Sequence, residues 1–197
     1  MIISRREKKK QRTRLDLATA AVELLVSEGE EGATVAAIAA RAGVSTRTFH
    51  NYFAAREDAF LYFIEITVRN WVSQVEDMPE GLAPHDLMRR AISAMCARPD
   101  NDLAAPPNLV TVGEHVAANL GPAGRERARR IFDGLQDTLI ARSHGSLTEL
   151  RALTLINVSL AVSGTVFEIA QRNQIPPGPQ LQEMLDDAFS FVAEGYR

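Results

Sequence analysis

The chain has 197 residues, of which 46% are hydrophobic and 24% are charged, so it is no disordered chain and suits one large domain or two small ones. The single cysteine, Cys96, excludes an internal disulfide and a Cys-x-x-Cys metal site. The net charge of −3 is unevenly divided, since residues 1–56 hold 10 Lys/Arg against 6 Asp/Glu and residues 57–197 hold 12 against 19. A polyanionic partner for the first segment and a merely solubilising basic tail both fit this division.

The N-terminal stretch "SRREKKKQRTR" predicts a flexible basic arm. The following "RLDLATAAVELLVSEG" predicts the first helix, because Leu17, Ala21 and Leu24 fall on one face. Gly29 and Gly32 are expected to end this helix and to begin a short connection.

Two short helices joined by a glycine turn follow. Thr34 is suited to cap the first of them, and "VAAIAARA" has apolar residues at helical spacing. Gly43 permits the positive φ of a tight turn, and Ser45 is suited to cap the second helix. Two short helices in this arrangement predict a helix-turn-helix.

Helical periodicity continues to the end of the chain, and no stretch alternates as a strand does. The further predicted helices are 56–75, 84–97, 107–120, 122–144, 147–173 and 178–194. We therefore expect an all-α protein of about nine helices. The basic arm and the helix-turn-helix are expected to occupy residues 1–56, and the remaining helices residues 57–197.

The second helix of the predicted pair has one apolar and one polar side. Phe49 and Phe53, four residues apart, are expected to face inward. Thr46, Arg47 and Asn51 fall on the other side with His50. Arginine can bond to guanine in two places and asparagine to adenine, so this side is suited to the major groove of DNA. An exposed polar face on an ordinary helical hairpin is the alternative.

The stretch "ATVAAIAARAGVSTRTFHNYFAAREDAFL" resembles the N-terminal signature of the tetracycline-repressor (TetR) family of transcriptional regulators. The resemblance implies a homodimer that binds a palindromic operator in double-stranded DNA and usually represses a nearby gene until a small effector binds the C-terminal domain. It implies that residues 1–56 form a DNA-binding domain with its basic arm, and that residues 57–197 form a helical ligand-binding and dimerisation domain. It also implies a set of residues at the DNA. These are Thr34, Ser45, Thr46, Arg47, Thr48, His50, Asn51, Tyr52 and Arg56. The family usually has Tyr or Phe at position 50 and Lys at position 56.

The basic arm is a second candidate for DNA contact, because flexible cations can follow phosphates or enter the minor groove. Its members are Arg5, Arg6, Lys8, Lys9, Lys10, Arg12 and Arg14. A solvated tail is the alternative.

The last two predicted helices carry apolar residues suited to packing between subunits, and the resemblance implies dimerisation through them. The candidates are Leu153, Ile156, Leu160, Gly164, Phe167, Leu181, Met184, Leu185, Ala188, Phe189 and Val192. The middle helices offer an apolar lining for an effector, although the same residue types build an ordinary core. These candidates are Trp71, Met88, Ile92, Met95, Cys96, His115, Phe132, Leu135, Asn157 and Phe167. Arg89, Arg90 and the "RERARR" run are candidates for an anionic head group.

The four histidines are isolated in sequence, and the chain has no Walker, Gly-x-Ser-x-Gly or dinucleotide-binding motif. We therefore expect no enzyme, no metal and no cofactor. The longest run without a charge, 152–167, is shorter than the ~20 apolar residues of a membrane span, so we expect a cytoplasmic protein without a membrane partner. A constitutive DNA binder without a ligand and a helical dimeric protein-interaction module remain as alternative functions.

Overall fold

The computed structural model describes residues 4–96 and 102–195, and within those ranges it is helical and contains no β-strand. In chain order the described helices are α1 (Arg5–Gly32), α2 (Val35–Arg41), α3 (Thr46–His50), α4 (Arg56–Glu76), α5 (Pro84–Cys96), α6 (Pro106–Asn119), α7 (Pro122–Arg130), α8 (Asp133–Arg142), α9 (Glu149–Arg172) and α10 (Pro179–Ala193). The all-α prediction is confirmed. Residues 97–101, within the predicted Pro-rich connection, lie outside the described residues.

The prediction of a flexible basic arm is wrong for the described residues, because the arm is the first part of α1. Ser4 caps this helix, and its hydroxyl accepts a hydrogen bond from the amide of Glu7 at 3.2 Å. The arm consists mainly of Arg, Lys, Glu and Gln, which are good helix formers. The predicted glycine signal is present at the other end of α1, where Gly29 has a φ of 72° and interrupts the helical backbone.

The predicted helix 122–144 is divided into α7 and α8, with the break at Ile131 and Phe132. Neither Ile131 nor Phe132 is a proline or a glycine, but the next two residues, Asp133 and Gly134, form a dipeptide that favours a turn. The boundary between two compact units of the chain lies close by, after Arg129. A local turn signal and a boundary between packed units therefore occur together at the break.

The chain forms two compact units, which do not coincide with the predicted division after residue 56. The first unit runs to Ile66 and also takes in Thr111–Arg129. Its core contains the fully buried side chains Leu17, Ile38, Phe49, Phe60 and Leu61. The segment 111–129, which the sequence assigned to the ligand-binding domain, thus belongs with the helix-turn-helix.

The second unit comprises Thr67–Val110 and the chain from Arg130 onward. Helices α5, α8, α9 and α10 pack on one another in it. Its core contains the fully buried side chains Leu87, Met88, Ile92, Leu135, Leu139, Ile156 and Phe189.

Helix α9 is long and apolar enough to cross a membrane by length and composition alone, with 24 residues and a mean hydropathy of 1.6 over its most apolar window. Seven of its residues are nevertheless buried, and it packs on α5, α8 and α10. Packing within the second unit therefore accounts for one apolar side of α9.

The C-terminal end of α4 is held by one arginine of the second unit, Arg142, whose side chain is 11% exposed. Its guanidinium donates to the carbonyl oxygens of Val75, Glu76, Met78 and Pro79 at 3.1, 2.9, 3.0 and 2.7 Å. The last carbonyls of a helix have no partner within the helix, so Arg142 supplies hydrogen bonds to this end of α4, where the Val75 carbonyl also accepts from the amide of Met78.

We expect Arg142→Ala to lower the free energy of unfolding by about 2 kcal/mol, because it leaves these carbonyls to solvent or without a partner. The matched control is Arg172→Ala, which removes only an exposed ion pair with Glu168 and should cost about 0.5 kcal/mol or less. Urea unfolding followed by circular dichroism measures both. Equal losses in the two variants would contradict a capping role for Arg142.

Candidate nucleic-acid interface

Helices α2 and α3 form a helix-turn-helix whose turn is closed by backbone hydrogen bonds. The amide of Gly43 donates to the carbonyl of Ala40 at 3.0 Å, and the amide of Val44 donates to that of Ala39 at 2.9 Å. Gly43 has a φ of 68°, as the sequence predicted for a tight turn.

Both predicted caps are present. The hydroxyl of Thr34 accepts from the amide of Ala37 at 3.2 Å at the start of α2. The hydroxyl of Ser45 accepts from the amide of Thr48 at 3.1 Å at the start of α3. The hydroxyls of Ser45 and Thr48 also lie 2.9 Å apart, so both side chains fix the first turn of α3.

One side of α3 is buried among aromatic rings. Phe49 is fully buried and Phe53 is 2% exposed, and their ring centroids lie 5.7 Å apart. Phe53 in turn lies 5.8 Å from the ring of Tyr62 on α4. This packing orients α3, because a helix turned about its axis would lose the buried aromatic area.

The opposite side of α3 is exposed and polar. Thr46, Arg47, His50 and Asn51 are exposed, as the helical spacing predicted, whereas Thr48 and Tyr52 are half-buried. The exposed set combines hydrogen-bond donors and acceptors with one permanent cation, Arg47. These groups match the edges and phosphates of a DNA duplex.

Arg56 differs from the other predicted contact residues, because its guanidinium is engaged inside the first unit. It donates to the Glu30 carboxylate at 2.8 Å, to the Glu57 carboxylate at 2.9 Å, and to the carbonyls of Glu30 and Ala33 at 2.8 and 3.3 Å. Its side chain is only 23% exposed. Arg56 therefore ties α4 to the connection between α1 and α2.

Glu30 continues this polar cluster towards α6. Its second carboxylate oxygen lies 3.8 Å from Nδ1 of His115, which also lies 3.4 Å from the side-chain nitrogen of Asn119. The His115 ring packs edge-on against Phe60 at 4.9 Å. His115 was predicted in an effector pocket, and the structure places it, 9% exposed, in the first unit beside the helix-turn-helix.

The basic segment at the start of α1 is exposed up to Arg12. Arg14 is different, because its guanidinium lies over the Tyr62 ring at 4.2 Å and over the Phe53 ring at 5.3 Å. The Arg12 side chain pairs with Asp16 at 3.4 Å. Arg14 therefore acts as a cation–π contact within the domain, unlike the exposed cations that precede it.

Most of the predicted pocket residues of the second unit are buried. Trp71, Met88, Ile92, Met95, Leu135 and Phe167 are buried. Phe132 is half-buried, and Asn157 lies on the exposed side of α9, away from the interior. The side chain of Cys96, at the end of α5, lies outside what the structure describes.

The predicted dimer residues fall into two groups. Ile156, Phe167, Leu181, Leu185 and Phe189 are buried in the core of the second unit and are not at its surface. Leu153 is 39% exposed, and Leu160, Gly164, Met184, Ala188 and Val192 are half-buried. Apolar residues occur on both sides of α9 and α10, so the sequence could not separate the inner from the outer side.

The outer side of α9 and α10 contains an apolar groove of about 360 Å³ lined by Val162, Thr165, Val166, Ile169, Met184, Asp187, Ala188, Phe191 and Val192. Leu150, Ile169 and Phe191 are large exposed apolar residues on these two helices, with exposures of 75%, 38% and 49%. The sequence analysis missed them. The sequence could have indicated these three residues, since they lie on the same apolar helices as the predicted dimer residues.

Two arginines of α7 are engaged within the first unit. Arg127 pairs with Asp58 and Glu65 at 3.4 and 3.3 Å, and Arg125 donates to the carbonyl of Leu120. In the second unit, Arg89 pairs with Asp186 at 2.8 Å. These contacts weaken the prediction that the arginines hold an anionic head group.

The sequence profile of the bacterial regulatory proteins of the tetR family matches residues 17–62. This segment begins in α1 and ends in α4, and it includes the whole helix-turn-helix. The chain is also 34% identical over 93 residues to the HTH-type transcriptional regulator TcmR of Streptomyces glaucescens. That match covers 47% of this chain and 41% of TcmR, which is less than half of the length of this curated relative.

Solved structures share the fold over nearly the whole chain. A transcriptional regulator from Rhodococcus sp. RHA1 has a TM-score of 0.68 at 21% identity and covers 92% of this chain and 96% of its own. FadR of Bacillus subtilis, in complex with stearoyl-CoA, has a TM-score of 0.67 at 18% identity, with 93% and 99% covered. FadR of Thermus thermophilus, a TetR-family repressor in complex with lauroyl-CoA, has a TM-score of 0.57 at 23% identity, with 93% and 95% covered.

We expect Arg56→Gln to lower the free energy of unfolding by about 2 kcal/mol, because it removes two ion pairs and leaves the Glu30 and Ala33 carbonyls without this partner. The matched control is Arg41→Gln, which removes two ion pairs, with Glu23 and Glu28, from a side chain that is 43% exposed. That change should cost less than about 1 kcal/mol. Thermal unfolding measures both variants. An Arg56→Gln loss no larger than the Arg41→Gln loss would show that Arg56 is not a brace.

Proposed function

We propose that the chain, whose residues 17–62 match the profile of the tetR family of bacterial regulatory proteins, is a repressor of that family that binds a palindromic operator as a homodimer and releases it when a small effector binds. The observation that supports this most directly is the exposed polar side of α3, opposite the buried ring of Phe49. Such a protein acts where the chromosome is, in the bacterial cytoplasm, and its function requires no catalysis.

In the proposed complex α3 lies in the major groove. Arg47 would donate two hydrogen bonds to a guanine, and Asn51 would pair with an adenine edge. Thr46 would contact a thymine methyl or a phosphate, and His50 a phosphate or a base. These four side chains need no rearrangement to reach a groove, since they are already exposed.

The remaining residues of the predicted set support α3 and position it on the sugar–phosphate backbone. Thr34, Ser45 and Thr48 hold helix starts and lie at or near the surface, where an amide or a hydroxyl can reach a phosphate. Tyr52 is half-buried and would offer its hydroxyl in the same way. For Arg56 we propose a bracing role, because four groups of the protein already accept its hydrogen bonds.

The proposed dimer forms through the outer side of α9 and α10. An exposed apolar groove lined in part by Ile169 and Phe191 is unfavourable in water, and pairing with the same surface of a second copy would remove it from water. A two-fold dimer also presents two copies of α3 to the two halves of a palindrome.

The proposed effector is apolar or amphipathic, because the described core of the second unit, which it would enter, consists of apolar side chains such as Met88, Ile92 and Leu135. Two solved relatives of the same fold contain a long-chain acyl-CoA. An acyl-CoA is therefore the effector to test first. Its acyl chain suits the apolar interior better than its phosphates suit Arg89 or Arg127, which already have carboxylate partners.

We expect the purified protein to enrich a palindrome from random DNA fragments at near-physiological salt, and Arg47→Ala to lose that preference. Removing one bidentate base contact should cost about 1–3 kcal/mol per half-site and relax base choice at one position. Arg172→Ala, which removes an arginine charge from α9, serves as the control and should enrich the same palindrome as the parent protein. If no sequence is enriched, or if Arg47→Ala selects equally well, α3 does not read bases.

We expect Ile169→Glu to convert the dimer into a monomer, because it places an unpaired carboxylate in the apolar groove. A cost of roughly 3 kcal/mol or more would raise the dimer dissociation constant at least about 100-fold. Val26→Glu on α1 is the control, since Val26 is also 38% exposed and should not affect association. Sedimentation equilibrium measures both. An unchanged dimer in Ile169→Glu would place the interface elsewhere.

We expect lauroyl-CoA or stearoyl-CoA to bind with measurable heat and to release the protein from its operator, because the acyl chain would enter the apolar interior of the second unit. Coenzyme A without an acyl chain is the control and should do neither. Isothermal titration calorimetry and operator release measured by fluorescence anisotropy test this. Absence of both effects with every chain length would exclude acyl-CoA as the effector.

A further inference from the structure

The basic segment of α1, defined as Arg5–Arg14, is an ordered helix with a cationic surface. Its exposed cations are Arg5, Arg6, Lys8, Lys9, Lys10 and Arg12, and its only acidic residue is Glu7. Ser4 caps the helix, and Glu7 stands in its first turn, where a negative charge is favourable. At 1.5 Å per residue the segment is about 14 Å long, which is comparable with several phosphate spacings along a DNA strand.

The contact of Arg14 shows where this segment leaves the domain. The Arg14 guanidinium lies over the rings of Phe53 and Tyr62. Phe53 follows the last residue of α3, His50, by only three positions, and its amide still donates to the carbonyl of Phe49. The basic segment therefore departs beside the C-terminal end of the helix that we propose lies in the major groove.

Helical geometry then separates the cations into two sides. Arg6 and Lys10 precede Arg14 by eight and four residues, so they continue its side of the helix, with a drift of about 40° per step. Arg5 and Lys9 have the same spacing and the same charges, but they are turned by about 100° away from that side. A rigid helix would present these two pairs differently to a neighbouring surface, whereas a flexible arm would not.

We propose that the basic segment binds DNA as a rigid helix and places Arg6 and Lys10 on phosphates that flank the operator half-site. This inference rests on the proposed function and names a part of its partner, the sugar–phosphate backbone beside the groove that α3 enters. Charge complementarity selects that partner, because six exposed cations and one carboxylate face a polyanion. The helical order reduces the cost of fixing the long side chains at the phosphates.

The test compares two double variants of the full chain that remove the same charges from the two sides. These are Arg6→Gln with Lys10→Gln, and Arg5→Gln with Lys9→Gln. The affinity of each variant for the selected operator and for an unrelated duplex is measured by fluorescence anisotropy from 50 to 300 mM salt. Circular dichroism verifies that the helix content of both variants equals that of the parent.

We expect the variant without Arg6 and Lys10 to flatten the salt dependence by about 1.8 per subunit in the slope of log K against log salt, since each lost phosphate contact contributes about 0.9. The variant without Arg5 and Lys9 should flatten it by less than half of that amount. Equal flattening in both variants would show that the segment acts as a flexible polycation and would overturn the proposal. No flattening in either variant would show that the segment does not touch DNA and would overturn it as well.

A third variant, Gln11→Pro, tests rigidity without changing charge. Proline removes the amide of residue 11 and collides with the carbonyl of residue 7, so it breaks the helix between the basic segment and the domain. We expect it to weaken operator binding and to abolish the difference between the two double variants when combined with each. Unchanged binding by Gln11→Pro would contradict a rigid contact.

These outcomes are distinct from a failure of the proposed function. If the parent protein selects an operator through Arg47 and the two double variants behave alike, only the rigid-helix contact fails. If the parent protein selects no sequence but still binds the unrelated duplex, the proposed reading of bases by α3 fails. The salt dependences of the two double variants on that duplex then decide the proposal for α1. If the parent protein binds no duplex at all, both proposals fail.

Discussion

The position of α3 depends on the burial of one aromatic side chain, Phe49. A helix of five residues is far too short to be stable in water on its own, so its conformation must come from tertiary packing. Phe49 is fully buried, and Phe53 and Tyr62 extend the contact to α4. The guanidinium of Arg14 lies over the rings of Phe53 and Tyr62 and thereby adds a contact from α1. Burial of the aromatic side of α3 therefore leaves its polar side exposed to solvent.

A second constraint acts on the start of the helix-turn-helix. Arg56 on α4 holds the Glu30 and Ala33 carbonyls, which come directly before the cap of α2 at Thr34. Glu30 also faces His115 of α6, in the segment that the first unit includes although it is distant in sequence. The geometry of the helix-turn-helix is therefore fixed partly by residues that lie outside α2 and α3. A charge that resembles a DNA contact in sequence is used here to hold helices together.

In the second unit, helices α9 and α10 have two apolar sides each. On α9 one side, with Ile156 and Phe167, is packed in the core of the unit. The other side, with Ile169, faces the groove it shares with α10. Ordinary amphipathic helices have only one apolar side, so the second one calls for a partner surface. In the proposed dimer, the core of the unit and the interface would use the same two helices, which would account for the apolar composition of both sides of α9.

The sequence by itself determined the helical class and the helix-turn-helix, with the caps at Thr34 and Ser45, the turn at Gly43 and the two sides of α3, because these depend on local capping, on backbone freedom and on a period of 3.6 residues. It did not determine which cations are available to a partner. Arg56 was assigned to DNA and is engaged within the protein, since only the three-dimensional arrangement brings Glu30 next to it. The inner side of α9 and the grouping of 111–129 with the helix-turn-helix were likewise decided by tertiary packing. The same apolar residue types occur in a core, in a pocket and at an interface, so only the packing in the folded protein shows which of these environments each residue occupies.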